Sequence, residues 1–398
     1  MNRTRGPLYV CTLVAAFCLL PSAGAFGEGA ATPMSPEEYN STKSLQLEAP
    51  AFLDRIRISG RVQAMWKMWG DEEDTAVGVG DVFEKEGFRV PRWRLGVAAS
   101  LFQHVRLVVT IGESEYRRTH DVNLLDANIT LDYFDFANLT VGAAKVPVGR
   151  QTLTSSRDMQ FVMRPVIQQQ LTVPTTEGDV GAYNGLGIPE RDVGITLSGR
   201  LWEGILKYYA GMYNGEGEYF RGNIDGNYSC VLRAVVNPLG DYPDMEGDFF
   251  RCLKASLGAS GFYNNVFDAQ YIGWGVDGEL KGYGLSIRGE YLHSQQEPDL
   301  DGDTVDPLIK ETTNRDGFFI QAGYFVWPNY LELAYRYEQF DDNNHLEDNG
   351  DIKYHTVGLN YYIKQSHFYK LQLNYVARQE DGPKLQNDAV YALLQVAF

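Results

Sequence analysis

Asp388-Ala-Val-Tyr-Ala-Leu-Leu-Gln-Val-Ala-Phe398 decides how the rest of the chain is read. Val390, Ala392, Leu394, Val396 and Phe398 share one parity, and in a strand every second side chain points to the same face. A strand of about ten residues that ends on an aromatic side chain fits the closing strand of an outer-membrane β-barrel. An edge strand of a soluble sheet can carry the same alternation. The remaining sequence separates the two.

The N-terminal end sets the compartment. Arg3 and Arg5 precede an apolar run from Leu8 to Leu20, and Ala23-Gly-Ala25 supplies a small-x-small cleavage site. This predicts a secretory signal peptide over 1–25. The run is shorter than the roughly 18 apolar residues of a membrane anchor, and no later segment reaches that length. A secreted chain without such a helix can still live in a membrane as a closed barrel. Abundant Tyr (25), Phe (20) and Gly (41) at a mean hydropathy of -0.29 suit a barrel that is apolar outside and polar inside. The formal charge of -17 becomes -19 once Arg3 and Arg5 leave with the signal. Such a polyanion repels phosphate backbones, which argues against nucleic acid as a partner. Cys11 and Cys18 also leave, so Cys230 and Cys252 remain in a disulfide-permissive compartment and are expected to pair. Their parities differ, so the pairing requires a bulge or a shifted strand start.

Alternation runs along the chain. From Arg55 to Trp69, Ile56, Ile58, Gly60, Val62, Ala64, Trp66 and Met68 oppose Arg55, Arg57, Ser59, Arg61, Gln63 and Lys67. The pattern recurs over 92–101, 105–112, 125–132 and 370–378. Short turns near 102–104, 136–138, 201–203, 281–284, 327–329 and 365–367 alternate with longer polar connections at 70–86, 147–190, 214–227, 297–315, 342–351 and 381–387. Short turns on one side and long loops on the other are the outer-membrane layout. Tyr228 to Val236 and Phe249 to Tyr263 read as two strands around Asn237-Pro-Leu-Gly240. The count reaches about sixteen, wide enough for an aqueous channel, whereas about eight strands would be filled by side chains. The expected organisation is a signal peptide over 1–25, a periplasmic tail over 26–54 and a barrel over 55–398. The fold class is an all-β transmembrane antiparallel β-barrel with an inward-folded constriction loop.

That loop is the segment 147–190, too long for a hairpin connection. Leu153, Met159, Phe161, Val162, Met163, Val166 and Ile167 give it apolar anchors against a wall. Arg150, Arg157 and Arg164 recur at intervals of seven, Lys145 precedes them, and Thr154, Ser155 and Ser156 add hydroxyls. Guanidinium groups grip phosphate and carboxylate through forked hydrogen bonds. The same arginines can instead pair with Asp158, Glu177 or Asp179 to hold the loop.

Val141-Gly-Ala-Ala-Lys145-Val-Pro147-Val-Gly149, Leu153-Thr-Ser-Ser-Arg157-Asp158 and Phe161-Val-Met-Arg164-Pro165 together resemble the phosphate-selective porin family, with its G-x-x-K-x-P-x-G strand end, L-T-S-S-R-D loop and F-x-E-R element. Phe88 to Gly96, Tyr209 to Gly217 and Arg233 to Pro238 extend the likeness. It implies a sixteen-stranded, trimeric outer-membrane porin whose third loop folds inward. Met163 replaces the acid that usually precedes the arginine, and no dense lysine cluster surrounds the loop, so the sequence departs from the family where phosphate selectivity would lie.

Inward parity predicts a basic stripe of Arg57, Arg61, Arg92, Arg94, Arg106, Arg200, Lys207, Arg233, Lys254, Arg288 and Arg336. A row of cations offers passing anions successive weak sites. Cross-strand pairing with Asp126, Asp132, Glu290, Glu332 and Glu338 is the competing use of these charges. Asp299, Asp301, Asp303 and Asp306 alternate as in calcium loops but lack the EF-hand glutamate. Histidines are dispersed without zinc spacing, and no G-x-S-x-G or H-E-x-x-H motif occurs. The expected function is a passive porin with some preference for small anions such as phosphate and no cofactor. Its expected surroundings are outer-membrane lipid, lipopolysaccharide and two further copies in a homotrimer. The rivals are a barrel sheathing a partner such as a cytochrome, and an outer-membrane barrel enzyme.

Overall fold

The computed structural model describes residues 45–46, 53–69, 86–113, 122–173, 185–217, 219–220, 222–267, 269–298, 312–345, 351–380 and 387–398. The signal peptide, nearly all of the tail, the acidic 299–306 stretch and most of the long loops lie outside them. Among the described residues, sixteen antiparallel strands form one closed sheet. They are β1 (Leu53–Trp69), β2 (Gly87–Leu101), β3 (Val105–Gly112), β4 (Asn123–Phe134), β5 (Ala137–Lys145), β6 (Arg191–Leu201), β7 (Leu206–Tyr213) and β8 (Ser229–Val236). The second half is β9 (Lys254–Val266), β10 (Ala269–Gly282), β11 (Leu285–Pro298), β12 (Thr313–Trp327), β13 (Leu331–Asp341), β14 (Ile352–Tyr362), β15 (Tyr369–Glu380) and β16 (Ala389–Ala397). Each pairs with its neighbour in sequence, and β16 returns to β1 in the register Ala389↔Trp69 to Ala397↔Arg61. Phe398 and Gly60 extend this seam by exchanging N–H to O bonds of 2.9 Å in both directions. A Cβ at Gly60 would collide with the Phe398 ring, so the glycine leaves the aromatic its seat on the outer face. Leu45–Gln46 bridges to β1 at Ile58 and Arg57.

Burial is inverted relative to a soluble protein. Val62, Leu232, Leu257, Leu394 and Val396 are exposed, while Arg61, Gln63, Arg233, Glu332, Lys370 and Gln395 are buried. A wall that is apolar outside and polar inside is the barrel solution for a bilayer. Turn chemistry supports the register. Tyr283 at φ 57° and Gly284 at φ 89° adopt left-handed backbone, the two-residue hairpin geometry that matches strand twist.

Two expectations are corrected. Strand β9 begins at Lys254 rather than Phe249, so β8 and β9 are joined at the short-turn end by residues 237–253 rather than 237–248. Pro238, Gly240, Pro243 and Gly247 interrupt the alternation there, since proline cannot donate to a ladder and Gly240 and Gly247 take φ 82° and 75°. At the opposite end, β9 ends at Val266 and β10 begins at Ala269, and the two pair as far as Val266↔Ala269. The second correction is the disulfide. Cys230 lies opposite Tyr263 on β9, eleven positions beyond Cys252 (263 less 252). Strand β9 alone separates them by the run from Lys254 to Tyr263, roughly 30 Å along the barrel wall at about 3.3 Å per residue, far beyond disulfide reach. Both are free and exposed.

Candidate functional site: the lumen and its constriction

The connection from β5 to β6 hydrogen-bonds to the polar faces of strands across the sheet from β9 through β16 to β1 and β2. Ser156 accepts from Arg61 on β1 at 3.0 Å, and Gln160 donates to Glu332 on β13 at 2.6 Å. The Val162 N–H donates to Asn374 on β15 at 2.7 Å and the Val166 N–H to Glu338 on β13 at 2.7 Å. The Gln151 N–H reaches Glu290 on β11 at 2.9 Å. Only a segment folded into the barrel can reach the inner faces of so many strands. Its apolar anchors Met159, Phe161, Val162, Val166 and Ile167 are buried. Gly149 permits the close approach, since a Cβ there would meet the Glu290 carboxylate.

Each charged residue singled out in this loop now has a place. Lys145 donates to the carbonyls of Thr152, Leu153 and Thr154 at 2.6, 3.2 and 2.9 Å. It thereby caps the short helix α1 (Arg150–Leu153), whose last carbonyls lack intrahelical donors. Arg164 donates to the Gln151 and Thr154 carbonyls at 2.6 and 3.0 Å and is 1% exposed. It lies 3.8 Å from Glu190. Burial alone would raise the Glu190 carboxyl, but Arg191, Arg164 and Lys145 outweigh it and hold it at about 2. Arg150 binds Asp277 at 2.9 Å and Ser256, with Asp244 and Glu279 at 3.6 and 3.7 Å. Burial opposes its charge; Asp244, Glu279 and Asp277 overcome this and raise its pKa above the ordinary value. Arg157 forms a two-pronged pair with Asp158 at 2.7 and 2.9 Å and lies over the Phe368 ring. Its side chain keeps 28% exposure. Ser155 closes a local turn onto the Arg157 N–H at 3.2 Å.

The basic stripe divides. Arg233 is paired with Asp277 at 2.6 Å, Arg288 with Glu279 at 2.7 Å and Arg336 with Glu338 at 3.1 Å, all buried. Arg200 and Lys207 share Asp241, and Lys254 donates to the Leu239 carbonyl. Arg92 donates to the Val162 carbonyl at 2.7 Å and to Gln63 at 3.1 Å. Arg57, Arg61, Arg94 and Arg106 carry no ion pair among the described residues. Arg61 and Arg94 stand directly opposite each other on β1 and β2. The strongest charges acting on Arg61 are Arg94, Arg92 and Arg157, with Asp158 behind them. The inner faces of β3 to β7 stay accessible at Arg106, Asp126, Asn128, Thr140, Thr196 and Arg200. Those of β9 to β16 are covered. Water therefore has most access along β3 to β7; at the edge of that face Arg57 and Arg94 are half-buried, while Arg61 and Arg92 lie beneath the loop.

Sequence reasoning missed the carboxylates that hold this lumen together, chiefly Asp244, Glu246 and Asp277. The Pro-, Gly- and Asp-rich composition of 237–248 was the available signal for the first two. Asp277 gave none beyond inward parity.

Known structures share this architecture. OmpF of Salmonella typhi, solved with daunomycin, superposes at a TM-score of 0.57 and 11% identity over 89% of this chain and 100% of that one. An anion-selective porin from Comamonas acidovorans superposes at 0.55 and 14%, over 86% and 99%. OprB of Pseudomonas putida gives 0.53 and 11%, over 87% and 94%. At such identities the likeness establishes the fold. No curated protein matches significantly. The profile of the phosphate-selective porins O and P matches 62–197 and 268–398, together 267 of the 398 residues, and spans the loop motif and the closing seam alike. On that match the chain belongs to the phosphate-selective porin O and P family, and it is a channel for small solutes.

Proposed function

We propose that the channel prefers small anions such as phosphate, passing them along the wall made by β1 to β3. The observation that carries this is the Arg61–Arg94 cross-strand pair. Like charges directly opposite on a sheet are destabilising; Asp158 acts on Arg61, and Glu190 and Asp126 on Arg94, but among the described residues none of them forms an ion pair with either arginine, which leaves the pair room for a counter-ion from the channel. Arg157 and the Ser156 hydroxyl adjoin Arg61, and Arg57 and Arg106 continue the charge toward the short-turn end. Successive cations of this kind bind and release anions without trapping them. The neighbour from Comamonas acidovorans is described as anion-selective, which agrees. The long loops are extracellular, the short turns periplasmic, and the assembly in the bacterial outer membrane is a homotrimer, as the family resemblance implies. A barrel that sheathes a partner needs an empty bore, whereas half of this inner wall is covered by the chain itself.

The test is reversal potential in a salt gradient for wild type and Arg61→Gln/Arg94→Gln. Wild type should favour anions, and the double variant should move toward cations while migrating as a folded barrel. A cation-preferring wild type, or an unmoved double variant, refutes the reading.

A further inference from the structure

Residues 237–253 lie wholly within 198–267, the stretch outside the family match. We propose that this segment is a specificity element: an inset from the short-turn end whose Asp241 and Asp244 neutralise lumen cations and confine the positive field to the Arg61–Arg94 wall. The proposal deepens the channel reading and rests on it.

The base of the inset is fixed to the barrel. The Phe249 ring lies 4.9 Å from Phe325, 4.8 Å from Tyr362 and 5.0 Å from His367. Asn329 donates to the Phe249 carbonyl at 2.9 Å, and Asp248 accepts the Gly284 N–H at 2.7 Å. Its tip meets the loop that descends from the other end. The Glu246 N–H donates to the Asp158 carbonyl at 2.9 Å, and its carboxylate accepts the Gln160 N–H at 2.6 Å and the Gln151 amide at 3.0 Å. Met245, Glu246, Asp248 and Phe249 are all buried. The two inward segments therefore brace each other.

Charge placement gives the brace its second role. Asp241 sits 2.8 Å from Arg200 and also binds Lys207. Asp244 lies 3.2 Å from Arg288 and 3.6 Å from Arg150, with its side chain 35% exposed. Two carboxylates thus oppose four lumen cations. Arg150 and Arg288 keep Asp277 and Glu279 if Asp244 is lost, and Arg200 and Lys207 reach water. Neutralising these two acids should leave the wall intact and unmask cations at the short-turn end.

The experiment measures reversal potential in a potassium chloride gradient for wild type, Asp241→Asn/Asp244→Asn and the exposed turn control Glu203→Gln. The double variant should raise the anion-to-cation permeability ratio about twofold or more, from removal of two nearby charges, and the control should not. A ratio equal to wild type, or a shift matched by the control, overturns the proposal. Should the double variant not fold, Asp244→Cys in a Cys230→Ser/Cys252→Ser background decides. A cationic thiol reagent should raise the anion preference and an anionic one lower it; equal response to both overturns the proposal. A cation-preferring wild type would sink the anion reading alone, because the direction of these shifts does not depend on the starting preference.

Discussion

The two halves of the inner wall use arginine in opposite ways. On the covered half, Arg150, Arg233 and Arg288 sit in dry space and each meets at least one carboxylate within 3 Å. Toward the open half, Arg106 is exposed and Arg57 and Arg94 are half-buried, none with an ion pair among the described residues, while the buried Arg61 holds the Ser156 hydroxyl. Desolvated charge must be matched within the chain, because an unpaired buried ion is far more costly than a solvated one. Where water enters, a cation can stay unmatched and remain available to a solute. The loop and the inset make this division: they decide which arginines are scaffold and which are surface.

The sharpest way to break the comparison is Asp277→Ala. It strips Arg233 and one side of Arg150 of their partner, and the expected loss is about 3–5 kcal/mol, read as a lower unfolding temperature in heat-modifiable electrophoresis. A loss below about 1 kcal/mol would show that the covered pairs are dispensable. Next comes Lys145→Met, which orphans three carbonyls. A cost of about 1–3 kcal/mol is expected, with a looser loop and larger, noisier single-channel currents. Unchanged currents would mean the loop is held elsewhere.

The third concerns acid. His367 lies in the 363–368 turn, buried, with its Nε2 bonded to the Glu246 carbonyl at 2.9 Å. Burial first, then the Lys370 charge, hold its pKa well below the ordinary 6.5. The unfolded chain takes up this proton near 6.5 and the folded chain does not. Stability is therefore complete above about pH 6.5 and falls as pH drops, by up to about 1.4 kcal/mol per pH unit until the folded pKa is reached. His367→Gln should flatten that slope in an unfolding-temperature series. Smallest is Arg106→Gln on the open wall. Stability should change by less than about 0.5 kcal/mol, and only a modest move of reversal potential toward cations should appear. A larger stability loss would place Arg106 with the scaffold.

Much of this was legible in the sequence. Period-two alternation gave the outer and inner faces because side-chain direction in a strand is set by parity alone, and Phe398 marked the seam that the Gly60 bonds confirm. The inward loop announced itself through apolar anchors in a segment too long for a hairpin. Its arginines did not, since Arg164 and Arg157 carry the same charge yet one caps carbonyls and the other holds Asp158. Partner choice depends on contacts more than a hundred residues away, such as Arg150 with Asp277, and no local pattern encodes them. The 237–253 inset misled for a related reason. Phe249, Leu253 and the strand after them share an apolar texture, and only the packing of Phe249 beneath Phe325 and Tyr362 shows where the strand starts.

The seam between β16 and β1 has a consequence for how the barrel forms. Its paired residues, such as Ala389 and Trp69, are separated by 320 positions, whereas every other strand pair joins near neighbours in sequence. The other fifteen pairings join consecutive strands, most of them as hairpins, but the sixteenth requires two distant edges to find each other, at the full entropic cost of closing the longest loop in the chain. Until they do, both edges present unpaired backbone that the bilayer cannot solvate. Assembly should accordingly pass through an open sheet whose fate depends on the encounter of Gly60 with Phe398. An agent that holds the free β16 edge until β1 arrives would shorten that search more than any aid to hairpin formation.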